Sequence, residues 1–207
     1  MKFDLTTLPS DIAYKVLAST VVPRPIAWVT TRSTSGVLNA APYSFFNVMG
    51  SDPPTLVLGL LHRPEGALKD TAAKILETGE FVVNLVPERL AEAMNMTCID
   101  APAGVDELEL AQLETTPSEM VSPPRITASP VSFECKTLQS LATGPRQTLV
   151  VGRVLCAHID DACVLDADRA YIDSPALNLI GRLHGGGWYA RSTPAFHLER
   201  PVYKRPK

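Results

Sequence analysis

The chain has 207 residues, of which 45% are hydrophobic and 20% charged, a composition that suits a globular body and excludes a disordered or collagen-like chain. Its formal net charge of -3 gives no bulk field to hold nucleic acid or an anionic membrane. No run approaches the ~18 apolar residues of a membrane span, and MKFDLTTLPSD at the start lacks a signal-peptide core, so a cytoplasmic setting is expected.

The length suits a single domain over residues 1–207. The 18 prolines and 12 glycines are dispersed, which predicts many short elements joined by turns. Residues 9–18 open on Pro9, Ser10 and Asp11 and read as a short helix. Pro23 and Pro25 force an extended chain around Arg24. Residues 26–31 alternate as a strand, 33–36 form a turn, and 38–44 return as a second strand of a hairpin. After the break at Asp52-Pro53-Pro54, the apolar run 55–61 reads as a buried strand.

The clearest helix spans 65–78, with Leu68, Ala72, Ile75 and Leu76 on one face and Gly79 as its stop. EFVVNLV at 80–86 is a strand, and Pro87 opens a second helix through Leu90 and Met94. Residues 98–124 are acidic and proline-rich, with one helical patch near 107–113, and read as an excursion from the main body. Strands resume at 130–138 and 147–159, and the segment 178–197 is glycine-rich, then extended. Strands follow one another in pairs with helices inserted. That order favours a mainly β fold, an antiparallel barrel with attached helices, over a doubly wound sheet.

Several chemistries are set aside. The sequence has no G-x-G-x-x-G, no P-loop, no H-E-x-x-H and no G-x-S-x-G. Cys98, Cys135, Cys156 and Cys163 form no C-x-x-C and show no ligand spacing with the four histidines, so no metal site is expected. The pair Asp160-Asp161 has nothing to place it in a cleft. The four basic residues of 200–207 read as a short solvated tail.

Three segments resemble one family: 23–60 (PRPIAWVTTRSTSGVLNAAPYSFFNVMGSDPPTLVLGL), 69–86 (KDTAAKILETGEFVVNLV), and the ending with GRLHGGGWYAR at 181–191 and ERP at 199–201. SPVSFECK at 129–136 and LVVGRVLCAHIDD at 149–161 agree in order. Together they resemble the flavin reductase-like FMN-binding family, which includes flavoredoxins and the reductase components of two-component monooxygenases. The segment 98–124 is the least family-like. The resemblance implies an FMN-binding split β-barrel of Greek-key type, and a homodimer with FMN at or near the subunit interface.

FMN needs donors for its phosphate, a surface for its ring and polar groups at the ring edge. Lys69 and Thr71 fall in the first turns of the 65–78 helix, where N–H groups are unpaired and the dipole favours an anion. From the residues alone a solvated lysine and a capping or surface threonine are the favoured reading; the family's matching K-D-T reverses it in favour of the phosphate. Arg24 is a further candidate. In the family, the loop that here runs from Ala40 to Gly50 lines the ring, which points to Ser44, Phe45, Phe46 and Asn47, although either Phe could be core. Thr30, Thr31 and Asn39 are the remaining polar candidates near that edge.

Gly185-Gly186-Gly187 permits close approach of backbone to a ligand. With Arg182, His184, Trp188 and Tyr189 around it, this segment is expected to close over the flavin or receive a nicotinamide. Hydride transfer to flavin N5 needs no general base, so no catalytic side chain is expected. The implied activity is an NADH- or NADPH-dependent flavin reductase with an oxygenase or other electron-transfer partner. The alternatives are a flavoredoxin-like carrier and a non-catalytic flavin- or haem-binding split barrel.

Overall fold

A computed structural model describes residues 1–99, 101–102 and 104–203. Three of the four basic residues assigned to a solvated tail, Lys204, Arg205 and Lys207, lie outside the described residues. In chain order the elements are α1 (Ser10–Thr20), β1 (Arg24–Pro25), β2 (Ala27–Arg32), β3 (Leu38–Tyr43), β4 (Phe46–Ser51), β5 (Pro54–Leu61), α2 (Asp70–Thr78), β6 (Glu80–Leu85), α3 (Ala91–Met96) and α4 (Glu107–Leu110). They continue with β7 (Thr115–Thr116), β8 (Arg125–Ile126), β9 (Val131–Gly144), β10 (Gln147–Ile159), β11 (Val164–Asp166), β12 (Tyr171–Ile172), β13 (Ile180–Arg182) and β14 (Tyr189–Arg191).

Seven strands form one antiparallel sheet in the order β3-β2-β6-β9-β10-β5-β4. Its two edges, β3 and β4, are consecutive in the chain and are linked only by Ser44 and Phe45. Laid flat, seven strands at ~4.8 Å spacing would hold those edges roughly 29 Å apart. A two-residue link spans only about 10 Å. The sheet therefore curls until its edges approach, yet no ladder joins β3 to β4. The result is an open barrel, split along one seam.

The curl gives β2 two buried faces. Ala27 and Val29 point into a core with Leu56, Leu58, Phe81 and Val83, plugged by Ala72 and Ile75 of α2. Ile26 and Trp28 point the other way, into a second core with Met94, Leu108, Ile126 and Ile180. Period-two alternation thus feeds two apolar clusters. At the centre of the first, a Cβ on Gly152 would lie 2.5 Å from Phe81 Cζ, so the bare β10 backbone makes room for the ring.

Four sequence expectations are corrected. The helix expected over 65–78 begins at Asp70, because Arg63 N–H bonds Ala67 O and Gly66 N–H bonds Arg63 O in a tight turn with Gly66 at φ +90. Leu68 therefore precedes the helix, Leu76 is exposed, and the buried face is Thr71, Ala72, Lys74 and Ile75. The stretch read as a flavin-lining loop up to Gly50 is strand β4 from Phe46 onward, paired with β5. The glycine-rich ending is a hairpin, β13–β14, that joins β1 in a three-stranded sheet. β9 also runs on to Gly144, because pairing with β10 carries weak strand formers such as Gln139 and Ser140.

Several side chains tie the excursion to the barrel, and Glu134 is the most buried of those on β9. Glu134 on β9 has no exposed side-chain surface, and its carboxylate accepts from Glu119 N–H at 2.9 Å and Met120 N–H at 2.6 Å. It also bonds His158 Nε2 at 2.6 Å. Burial opposes ionisation of Glu134, but these hydrogen bonds outweigh it and hold the carboxyl below its ordinary range.

Candidate functional site

Two hollows lie along β3, at one edge of the open sheet. The first, about 150 Å³, lies at the N-terminus of α2 and is lined by Asn39, Arg63, Lys69, Asp70, Thr71 and Glu107, among others. The second, about 360 Å³, is lined by Ile26, Ser44, Met94, Arg182, Gly187 and Tyr189, among others. Pro42, Tyr43 and Cys98 line both, so the hollows are two ends of one cleft. Together they reach the size range of small-molecule sites.

The two ends differ in chemistry. At the first, the unpaired N–H groups at the start of α2 and the positive end of its dipole favour an anion, and Lys69 and Arg63 add charge. Asp70 stands 3.9 Å from Arg63 and offsets part of that charge. At the second, Arg182 lies over the Tyr189 ring with its Cζ 4.8 Å from the ring centroid, and it donates to Gly185 O at 2.9 Å. Cys98 sits between the ends: burial raises its thiol pKa, while Arg182 and Lys69 both act to lower it. Burial also pushes the Tyr43 hydroxyl up to about 12, against the nearby Thr71 hydroxyl, which lowers it, and with Glu107 and Asp70 adding to the rise.

Of the residues singled out from sequence, Asn39, Ser44, Lys69, Thr71, Arg182 and Tyr189 line this cleft. Thr31 stands behind it, donating to Asn39 Oδ1 at 3.3 Å. Thr30 is fully buried and donates to Pro124 O at 2.6 Å, which ties the end of the excursion to β2. Phe45 packs on Tyr14 of α1, its ring centroid 5.8 Å away, and Phe46 packs against the barrel core. Asn47 is exposed on β4 and accepts from Val48 N–H. His184 and Trp188 stack on each other at 6.3 Å near the tip of the β13–β14 hairpin, where Gly187 takes a φ of +91 that only glycine adopts without strain.

Arg24 is 6% exposed and spent on structure. Its Nη1 donates to the carbonyls of Ala18 and Val21, its Nη2 to Leu183 O at 2.9 Å and its Nε to Ser44 Oγ at 3.3 Å. It ties α1, the β13–β14 hairpin and the seam corner together. Arg24→Ala should therefore lower stability by about 3 kcal/mol, read from urea denaturation, since two or more carbonyls lose a charged donor.

Sequence reasoning missed Glu107, Cys98 and Tyr43. The first two lie in or beside the excursion, whose place against β3 no local pattern reveals. Spacing also gave no sign of the cluster of Glu134, Cys156 and His158, whose ligand atoms lie within 4.8 Å of one another. The signal was there: Cys156 and His158 are two apart on β10 and so share a face. Their neighbourhood is that of an anchor, because Glu134 is already engaged by two backbone N–H groups and Arg125 Nε stands 4.0 Å away.

Residues 18–174 match the family model described as flavin reductase like domain. An uncharacterized protein of Deinococcus radiodurans is 42% identical over 205 residues, covering 97% of this chain and 90% of its own. Among solved structures, nitrilotriacetate monooxygenase component B from Bacillus cereus is similar with a TM-score of 0.89 at 32% identity, covering 96% of this chain and 98% of that one. The 2-nitrobenzoate 2-nitroreductase NbaA of Pseudomonas fluorescens gives a TM-score of 0.89 at 32% identity over 100% of this chain and 99% of its own. A split barrel domain protein from Shewanella frigidimarina, with a TM-score of 0.80 at 20% identity over 99% of this chain and 100% of its own, shares the fold. The open seven-stranded sheet is that split barrel.

Proposed function

Because the chain belongs to the flavin reductase like domain family, we propose that it is an FMN-binding oxidoreductase that takes hydride from NADH or NADPH. The observation that carries this reading is the two-ended cleft. One end offers Lys69, Thr71 and the N-terminus of α2 to a phosphate, and the other offers a wider hollow with Arg182 and Tyr189 to a flat ring. The chemistry of these donors fits FMN, since a dianion needs charge and N–H groups and a ring needs apolar walls such as Pro42 and Ile26.

When bound, the flavin supplies the redox chemistry by accepting a hydride at its N5. The chain's residues bind and orient. Lys69 and the first turn of α2 hold the phosphate. Asn39, Tyr43 and Ser44 offer hydrogen bonds along β3 and just beyond it. Arg182, steadied by Gly185 O, brings positive charge to the ring end. The hairpin tip with Gly187 and Trp188 is the proposed seat for the nicotinamide.

The reading treats residues 1–207 as one functional unit and places it in the cytoplasm, where the four free thiols fit a reducing compartment. It includes a homodimer, because edge strand β4 exposes Val48 and Met49 at 64% each and offers an open ladder to a second copy. A partner oxygenase is supported by the likeness to a monooxygenase component.

The test is an anaerobic titration. Purified protein should quench the fluorescence of added FMN, and NADH or NADPH alone should then bleach the bound flavin near 450 nm. Protein that leaves FMN fluorescence unchanged overturns the reading. Bleaching that needs a second protein moves the activity to electron carriage.

A further inference from the structure

We propose that Glu107 is a positioning residue for the phosphate end of the cleft, acting on Thr71 through the side-chain amide of Asn39. The assignment rests on the flavin reading above and deepens it. Glu107 is 6% exposed and is carried into the cleft by α4, an element of the excursion. Its Oε2 accepts from Asn39 Nδ2 at 2.9 Å and from Ala40 N–H at 3.1 Å.

The polarity of this contact is the argument. An ionised carboxylate only accepts hydrogen bonds, so it dictates that the amide turns its NH₂ toward Glu107 and its oxygen the other way. That oxygen, Oδ1, accepts from Thr71 Oγ1 at 2.8 Å and from Thr31 Oγ1 at 3.3 Å. Thr71 is thereby fixed at the mouth of α2. A hydroxyl has one proton to give. When an anion arrives, Thr71 can turn that proton to it, because Thr31 still satisfies Asn39 Oδ1. With Glu107 absent the amide is free to turn over and point NH₂ at Thr71, which then loses its acceptor, receives a donor in its place and is no longer held in the orientation that Glu107 dictates.

A negative charge lining an anion site would otherwise weaken binding by repulsion. The structure spends Glu107 on two N–H donors, which accounts for a carboxylate in that place. A purely electrostatic role and a positioning role therefore differ in what the charge and the geometry each do. Removing the charge alone would tighten phosphate binding under the first and leave it little changed under the second.

The experiment measures the dissociation constants of FMN and of riboflavin, which lacks the phosphate, for the full chain. Glu107→Asp keeps the charge but is one methylene too short to reach both N–H groups. It should cut the preference for FMN over riboflavin by about tenfold, with riboflavin affinity within about threefold of the parent. Glu107→Gln keeps an acceptor oxygen for Asn39 and Ala40, and should hold the FMN preference within about threefold. Should Glu107→Asp fail to fold, Asn39→Ala read the same way carries the test and should lose the preference. An unchanged preference in Glu107→Asp, or in Asn39→Ala where it stands in, overturns the assignment. So does a Glu107→Gln protein that binds FMN much tighter or loses as much preference as Glu107→Asp. A parent chain that binds neither flavin overturns the flavin reading itself, a result distinct from a parent that binds FMN and variants that match it.

Discussion

Glu134→Ala is expected to lower the unfolding free energy by about 3–5 kcal/mol, the cost of removing one partner from a fully buried, hydrogen-bonded carboxylate. The substitution removes the acceptor of the Glu119 and Met120 N–H groups and the partner of His158 Nε2. It also frees the excursion at the point where it meets β9, and with it the part of the chain that carries Glu107 and Cys98 to the cleft.

The effect has a pH signature. The folded-state pKa of Glu134 lies below its ordinary value of 4.5. A group depressed in this way contributes its full stability above the unfolded value and loses it as the pH falls through the folded value. The gap between parent and variant should therefore be full at pH 7 and narrow progressively below pH 4.5. Urea denaturation of both proteins at several pH values reads it. A gap that stayed constant from neutral to acid pH would mean that the carboxylate is not held in its ionised form by the fold.

Lys69→Glu is expected to weaken FMN binding about 100-fold, while riboflavin binding changes only a few-fold. The side chain lies at the first residue before α2 and lines the anion end of the cleft, where Asp70 and Glu107 already supply negative charge. Reversal removes one cation and adds a third carboxylate against a dianion. The loss should shrink as salt is raised from low to molar concentration, because ions partly screen the half-buried charges of this open end. Fluorescence quenching against both flavins at two salt concentrations measures it. Equal losses for FMN and riboflavin would place the phosphate elsewhere.

The legible part of the fold was the part governed by local rules. Alternation marked β2, Gly79 marked the end of α2 with its φ of +72, and Pro9 preceded α1. The misread parts were those decided by pairing. Phe46 to Ser51 carries a glycine and an asparagine, which weaken any strand signal, yet β5 supplies a ladder that makes it β4. Leu68 and Leu76 suited a helical stripe, but a turn closed by Gly66 moved the start of the helix and turned that stripe outward.

The site divides along the same line. The sequence by itself determined the order of the strands along the chain, the presence of a helix ending at Gly79 with Lys69 and Thr71 near its start, and the likeness that brought flavin into view. It could not determine which polar side chains face the cleft. Arg24, Thr30 and Asn47 looked like candidates because their types suit a flavin, and the curl of the sheet gave the first two to α1 and the excursion instead. The tertiary structure alone brought Glu107 to Asn39, 68 residues away, and Glu134 to Met120 across the excursion. The physical reason is range. Periodicity and capping act over one or two turns of chain, whereas a split barrel is set by two edges that are neighbours in sequence and must meet in space, and whatever lies in the seam is chosen by that closure.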